Sequence, residues 1–463
     1  MIASSPLINK KKQMKKHIYP LIAGIILLTS ACKKDWLDAK SDSSTIVPQT
    51  LEDMKLLLNN SILNTNYTAI GEASSNDIFV SNSVFSSLPL LDRNIYSWQP
   101  EIFVGTTQVL QWNNCYNQIF ISNVVLEGLE KLKLNANRQS EWNNTRGQAL
   151  FHRAKAFYDL HIVFSRPYNL QTAATDPGIS IRLNSDINTK TVRSSVQEGY
   201  DQIKTDLKEA VNLLYPLPKI GTDPSKVAAL ALLARLSLSM GEFDDALTYS
   251  GESLSLFNTL IDYNSINSAA ANSFTAFNQE TSYYAIQALI TTLVNANISP
   301  ELINSYSAND LRKSVFFKLN SNGTYSFKGS YTGSILPFAG FSSNELYLIQ
   351  AECYARKGNT VDAMKSLNTL LVKRFKTGTF IPLTAGSAEA ALGIVLKERR
   401  KELVYRGMRW QDLRRLNLEP QFATDLKRVI NGQTHILPAN DSRYVFPIPN
   451  YIIDATGIAQ NPR

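Results

Sequence analysis

Apolar side chains recur every three or four residues along much of the chain, the spacing that places them on one face of a helix. Leu51, Met54, Leu57 and Leu58 share such a face and predict a first helix near residues 50–60. The same period predicts helices over 111–134 and 139–164, the second stopping before Pro167, since proline disfavours helix in the residue ahead of it. Ser194 or Ser195 offers an N-cap for a further helix whose core face is Ile203, Leu207, Ala210 and Leu214. Two stretches break the period. Residues 61–108 and 258–341 are rich in Ser and Asn, dotted with aromatic residues, and read as long loops with short helical turns. Loops of that length inside a folded chain tend to carry function.

Between and after these insertions a spacing repeats. Ala234-x6-Gly241-x4-Ala246 and Ala351-x6-Gly358-x4-Ala363 are identical in register, each within an apolar helical pattern. Small residues at those places let two antiparallel helices pack closely, with the glycine at the turn between them. This is the tetratricopeptide pattern. Two units so far apart do not make a regular solenoid, so the expected fold is mainly α: a tetratricopeptide-type helical repeat scaffold carrying large loop-rich insertions.

The amino end follows a different logic. Lys15 and Lys16 precede an apolar run from Ile18 to Leu28, and Thr29-Ser-Ala-Cys32 follows. The run is too short to span about 30 Å of hydrocarbon, and it predicts a secretory signal peptide over residues 1–31; the alternative is an uncleaved anchor helix. Met14 is a better start than Met1, which would leave 1–13 as a misassigned extension. Small residues directly before Cys32 resemble a bacterial lipoprotein cleavage site, at which the thiol receives lipid. Thr29 stands where such sites carry an apolar residue. Residues 32–48 then form a lipidated tether.

Composition removes several function classes. The net charge of +8 suggests nucleic acid, yet five lysines (Lys10, Lys11, Lys12, Lys15 and Lys16) lie in residues 1–31 with no acid among them. The rest of the chain carries +3, too little for a phosphate-binding surface, so no nucleic-acid partner is expected. Four histidines and three cysteines, without CxxC or HExxH, predict no metal and no cofactor. Cys115 and Cys353 are either a disulfide or two buried thiols, and the reading favours thiols. No G-x-S-x-G is present, and His152 and His161 fall in a packing helix. A glycosidase would need two carboxylates across a cleft; the 39 acidic residues contain candidate pairs, but no segment points to one. The expectation is a binding protein, not an enzyme.

The motifs together resemble one family. Asp35-Trp-Leu-Asp38 after Cys32, Trp112-x3-Tyr116-x2-Ile119-x3-Asn123, Arg153-Ala-Lys-Ala-Phe-Tyr-Asp-Leu160, Ser299-Pro-Glu-Leu-Ile with Asn309-Asp-Leu-Arg312, Glu398-Arg-Arg-Lys-Glu-Leu403, Gly407-Met-Arg-Trp-Gln-Asp-Leu-Arg-Arg415, Phe446-Pro-Ile-Pro449 and Gln460-Asn-Pro462 resemble, in order and spacing, the SusD/RagB family of outer-membrane nutrient-binding lipoproteins. Tyr405-Arg406 departs from the family's usual aromatic and glutamate. The resemblance covers nearly all of residues 32–463 and makes 49–463 a SusD-like domain.

That resemblance implies a lipid-anchored protein on the outer membrane, facing the exterior. It would capture an oligosaccharide, or a peptide in a minority of the family, and deliver it to a SusC-like TonB-dependent transporter. The rival reading is an interaction scaffold that uses its repeats to hold other chains. Glu72-Ala-Ser-Ser-Asn-Asp77 resembles the family's loop leading to a Ser-Asp pair, and Tyr96-Ser-Trp98 follows in the same insertion. Flat rings stack on sugar C–H faces while amides and carboxylates bond hydroxyls. Asn76, Asp77, Tyr96 and Trp98 are therefore candidate ligand contacts, with Tyr283 and Tyr284 in the later insertion. The alternative for Tyr96 and Trp98 is that they pack the loop on the scaffold. Glu398–Arg415, dense in charge, reads as a brace, with charge pairs one helical turn apart beside an apolar stripe, and Trp410 as part of the scaffold.

Overall fold

A computed structural model describes residues 48–133 and 135–463; the expected signal peptide, Cys32 and the tether lie outside the described residues. Helix α1 (Leu51–Leu58) starts at a capping box in which Thr50 and Asp53 bond each other's backbone N–H. Helices α2 (Leu110–Lys131) and α3 (Gln139–Phe164) follow the predicted stretches to within a few residues. Ser195, not Ser194, caps α4 (Val196–Leu213), in a second capping box with Glu198. The repeat units are two helical hairpins, α5 (Lys226–Met240) with α6 (Phe243–Leu256) and α7 (Ser343–Arg356) with α8 (Thr360–Leu371). Gly241 and Gly358 occupy the turns with φ of 78° and 79°, a left-handed conformation that only glycine adopts without cost. Ala234, Ala246, Ala351 and Ala363 are all fully buried.

The helices stack in a row, each on the next from α1 to α8, and α9 (Ala388–Glu402) covers α7 and α8. The repeat units lie side by side through α6 and α7, although the second insertion separates them in sequence. The insertions are not open loops. They are sewn to each other by two-residue strands: Thr65–Asn66 runs parallel to Ile286–Gln287, and Ile78–Phe79 runs antiparallel to Asn297–Ile298. Short helices Ala69–Ser74, Asn82–Ser87 and Leu90–Tyr96 fill the first insertion. The lack of a sustained apolar period has a physical cause. Elements of two to seven residues are too short to show one, and their apolar residues join the main core through distant partners.

The charged stretch at 398–415 braces these layers. Arg312 bonds Asp310, Glu398 and Glu402, and Arg374 joins Glu402 to Glu280, all at 2.5–3.2 Å. On α10 (Arg409–Leu416), Asp412 and Arg415 link α9 to Glu352 of α7. Burial alone would raise the Glu352 carboxyl, but Arg415 and Arg356 outweigh it and hold it at about 2. Such pairs specify how layers meet, and breaking one costs about 3–5 kcal/mol. The Trp410 ring stacks on Tyr444 with centroids 4.8 Å apart. It also presses so closely on Gly71 that a Cβ there would lie 2.7 Å from it. Cys115 and Cys353 are buried, unpaired thiols. His152 and His161 are enclosed, and burial pushes both down to about 3, so they stay neutral. Among the described residues no helix is long and apolar enough to cross a membrane.

Candidate functional site

The two insertions and the brace meet around a cleft of about 520 Å³. Its first wall is the turn at Asn76 and Asp77, between helix Ala69–Ser74 and strand Ile78–Phe79. Opposite stands a hairpin, Leu426–Ile430 with Gln433–Leu437, closed by Asn431 and Gly432 with φ of 49° and 81°. An Asn-Gly pair suits this tight turn because both residues tolerate positive φ. Alternation along the first strand buries Leu426, Arg428 and Ile430 and turns Lys427 and Val429 outward. Arg400 on α9, Arg409 at the start of α10, and Ser299 with Glu301 complete the lining.

Arg428 organises the aromatic side. Its guanidinium carbon lies 3.7 Å from the centre of the Tyr96 ring and 4.5 Å from that of Trp98. Its N–H groups donate to the carbonyls of Tyr96, Ala73 and Ser75. Burial lowers this arginine to about 10, and the three carbonyls supply the partners that a buried guanidinium requires. The Tyr96 hydroxyl accepts the Val80 N–H at 3.0 Å, and the Trp98 indole N–H donates to the Ser74 carbonyl at 3.0 Å. Trp98 itself has φ of 53°, a strained value that these contacts hold in place.

The polar side is an ion cluster. Arg400 donates to Asp77 at 2.7 Å and to Glu301 at 2.6 Å. Arg409 donates through Nε to the Asn76 side chain at 2.9 Å and lies 3.7 Å from Asp77. Behind the wall, burial and then the Asp77 charge raise the Glu72 carboxyl to about 8.

The structure thus gathers Asn76, Asp77, Tyr96 and Trp98 at one place, with a difference from expectation. Tyr96 and Trp98 are each only 3% exposed. Arg428 lies over a face of each ring, and with so little of either ring exposed the cleft offers polar groups rather than open stacking platforms. Tyr283 is elsewhere: it is fully buried, 5.0 Å from Phe151, its hydroxyl accepting from Asn64. A ring enclosed in the core has no face for a ligand, which corrects its candidacy. Tyr284 is half-buried against Phe277 at 4.3 Å and does not reach the cleft. Sequence reasoning missed Arg400, Arg409, Arg428, Lys427, Ser299 and Glu301. The first two lay inside a stretch read wholly as a brace. The hairpin carried a readable signal, its Asn-Gly turn between alternating residues. A second, more apolar hollow of about 380 Å³ lies along α2, lined by Trp112, Tyr116, Phe120 and Ile187 among others.

Comparison with known proteins agrees with this architecture. Residues 35–238 match a family described as starch-binding and associating with the outer membrane, and residues 341–463 match the SusD family. A SusD superfamily protein from Bacteroides thetaiotaomicron superposes with a TM-score of 0.74 at 23% identity, covering 89% of this chain and 100% of that one. A SusD-like carbohydrate binding protein from Bacteroides vulgatus gives a TM-score of 0.65 at 19% identity, over 88% of this chain and 97% of that one. A laminarin binding SusD-like protein gives 0.65 at 16% identity, over 89% and 99%. No curated protein matches. The two matched segments carry the motifs, the solved structures carry the fold, and by both this chain belongs to the SusD/RagB family.

Proposed function

We propose that this protein captures a glycan at the cell surface and delivers it to a SusC-like TonB-dependent transporter, held at the outer membrane by lipid on Cys32. The observation that carries this reading is the cleft itself. It joins both insertions to the brace and lines one hollow with arginines, carboxylates, a serine and an asparagine beside two nearly buried rings. Sugars need many directed hydrogen bonds and a little apolar surface, and this lining supplies both. The solved relatives described as carbohydrate binding and laminarin binding support the same ligand class. Hydrogen bonding rather than face stacking would carry most of the affinity, because Arg428 already covers the two rings.

Binding is the whole task in this reading. Purified protein titrated with an oligosaccharide panel should show saturable heat or fluorescence change, and no product should accumulate over a day. Steady release of reducing ends, abolished by one Asp or Glu substitution, would replace capture by hydrolysis. An interaction scaffold would instead bind no glycan and retain a protein partner after mutation of Asn76.

A further inference from the structure

Three arginines share the cleft, and their hydrogen-bonding groups are used very differently. Arg428 spends its terminal nitrogens on the carbonyls of Tyr96, Ala73 and Ser75. Arg400 spends its Nε on Asp77 and a terminal nitrogen on Glu301. Arg409 uses Nε on Asn76, but its two terminal nitrogens have no hydrogen-bond partner among the described residues. They are not sealed in the interior either, since the side chain is 14% exposed and lines the cleft. Among the described residues the one carboxylate within 4 Å of Arg409 is Asp77, at 3.7 Å and already engaged by Arg400 at 2.7 Å.

The charge around this fork points the same way. Arg400, Arg409, Lys427 and Arg428 line the cleft against Glu301 and Asp425, with Asp77 at its wall. Glu301 accepts from Arg400, and Asp425 accepts the backbone N–H of Ala439. Lys427 is exposed and makes no ion pair among the described residues. Arg409 therefore has no hydrogen-bonded carboxylate and Lys427 no ion pair among the described residues, and these four cations face three carboxylates. Two parallel N–H donors of one guanidinium match the two oxygens of a carboxylate, and such forked pairs are among the stronger hydrogen bonds in proteins. A neutral hydroxyl would engage one donor and leave the charge uncompensated.

We infer that the captured glycan is acidic, and that Arg409 holds the carboxylate of a uronic acid residue through its two terminal nitrogens while Lys427 adds attraction at the mouth. This rests on the capture reading above. It assigns Arg409 a ligand contact within a stretch whose other arginines brace the fold.

The test compares oligogalacturonate, alginate oligomers and hyaluronan oligomers with their carboxyl-reduced forms, and with laminarin oligosaccharides, by titration calorimetry on the wild-type protein. The acidic form should bind about ten- to a hundredfold more tightly than its reduced counterpart, the range of one or two charge-assisted hydrogen bonds. That preference should shrink with added salt. Arg409→Gln should remove it, Arg409→Lys should retain part of it, and Lys365→Gln, on the distant helix α8, should leave it intact. The wild-type comparison needs no variant, so loss of folding in Arg409→Gln cannot obscure the outcome. Laminarin bound as tightly as any uronide, and unaffected by Arg409→Gln, would overturn the acidic ligand while capture stands. Carboxyl-reduced oligomers bound as tightly as their acidic forms would overturn the carboxylate assignment. Failure of every glycan, acidic or neutral, would overturn capture and this inference with it.

Discussion

Arg428 and Tyr96 are 332 residues apart in the chain, and the guanidinium carbon of one stands 3.7 Å from the ring centre of the other. The contact ties the carboxy-terminal hairpin to the first insertion and fixes the wall of the cleft. Arg428→Met would keep much of the aliphatic bulk but strand three buried carbonyls. The expected loss is about 2–4 kcal/mol of stability, seen as a lower denaturation midpoint, together with weaker glycan binding because the hairpin is no longer anchored. Unchanged stability would mean that the hairpin is held by its strand pairing alone.

Trp98 adds a related expectation. It is 3% exposed, donates to Ser74 and carries positive φ, so Trp98→Ala should cost about 3–5 kcal/mol through lost burial and a cavity. A stacking platform outside the core would instead lose affinity with little effect on stability. Thermal denaturation and calorimetry on the same variant separate the two outcomes.

Gly71 and Trp410 form a pair that can be tested as a cycle. A methyl at position 71 would lie 2.7 Å from the indole, so Gly71→Ala should destabilise by about 1–3 kcal/mol through overpacking. Trp410→Phe should also lower stability while sparing ligand affinity. The clashing atoms are Cδ1, Cγ and Cβ, which phenylalanine keeps, so relief needs Trp410→Ala: in the double variant with Gly71→Ala, the combined loss should fall below the sum of the two single losses by more than about 0.5 kcal/mol. Strict additivity would show that backbone shifts, not ring contact, absorb the added carbon.

Glu72 sets a pH signature opposite in sign to that of Glu352. Burial and the nearby Asp77 raise it from 4.5 to about 8. Below pH 4.5 it is protonated in both folded and unfolded chains and contributes nothing. Between pH 4.5 and about 8 the unfolded chain ionises more readily, so folding loses stability as pH rises. Glu352, held at about 2, acts the other way: its contribution is full above the unfolded value and disappears as pH falls towards 2. Glu72→Gln should therefore stabilise the protein at pH 8 relative to wild type by at least about 1 kcal/mol, with a smaller difference at pH 5. Denaturant unfolding at the two pH values measures this, and a difference independent of pH would mean that Glu72 titrates normally.

Anchoring is tested in cells. Cys32→Ala should leave the domain from Gln49 onward folded, since that domain is a compact unit by itself, and should release it from the membrane fraction. Labelled fatty acid should enter the wild type and not the variant. Absence of label from the wild type would remove the lipid anchor.

Local interactions are where the sequence spoke clearly. The N-cap serine at 194 or 195, the turn glycines Gly241 and Gly358, and the alanines that let the repeat helices close on each other all act within a few residues. Each leaves a spacing that can be read directly, as does the charged brace with its pairs one helical turn apart. Family motifs extended that reading to the whole architecture. The insertions obeyed other rules. Their strands are two or three residues long, below the length at which alternation is visible, and their partners lie in the other insertion or beyond it. Tyr283 and Trp98 look alike in sequence, aromatic residues in polar loops. The fold sealed one in the core and set the other at the edge of a cleft. What decided between them was long-range: Phe151 and Phe341 closing over Tyr283, and Arg428 arriving from the carboxy end to cover Trp98. Burial depends on which distant surfaces meet, and that is a property of the folded chain.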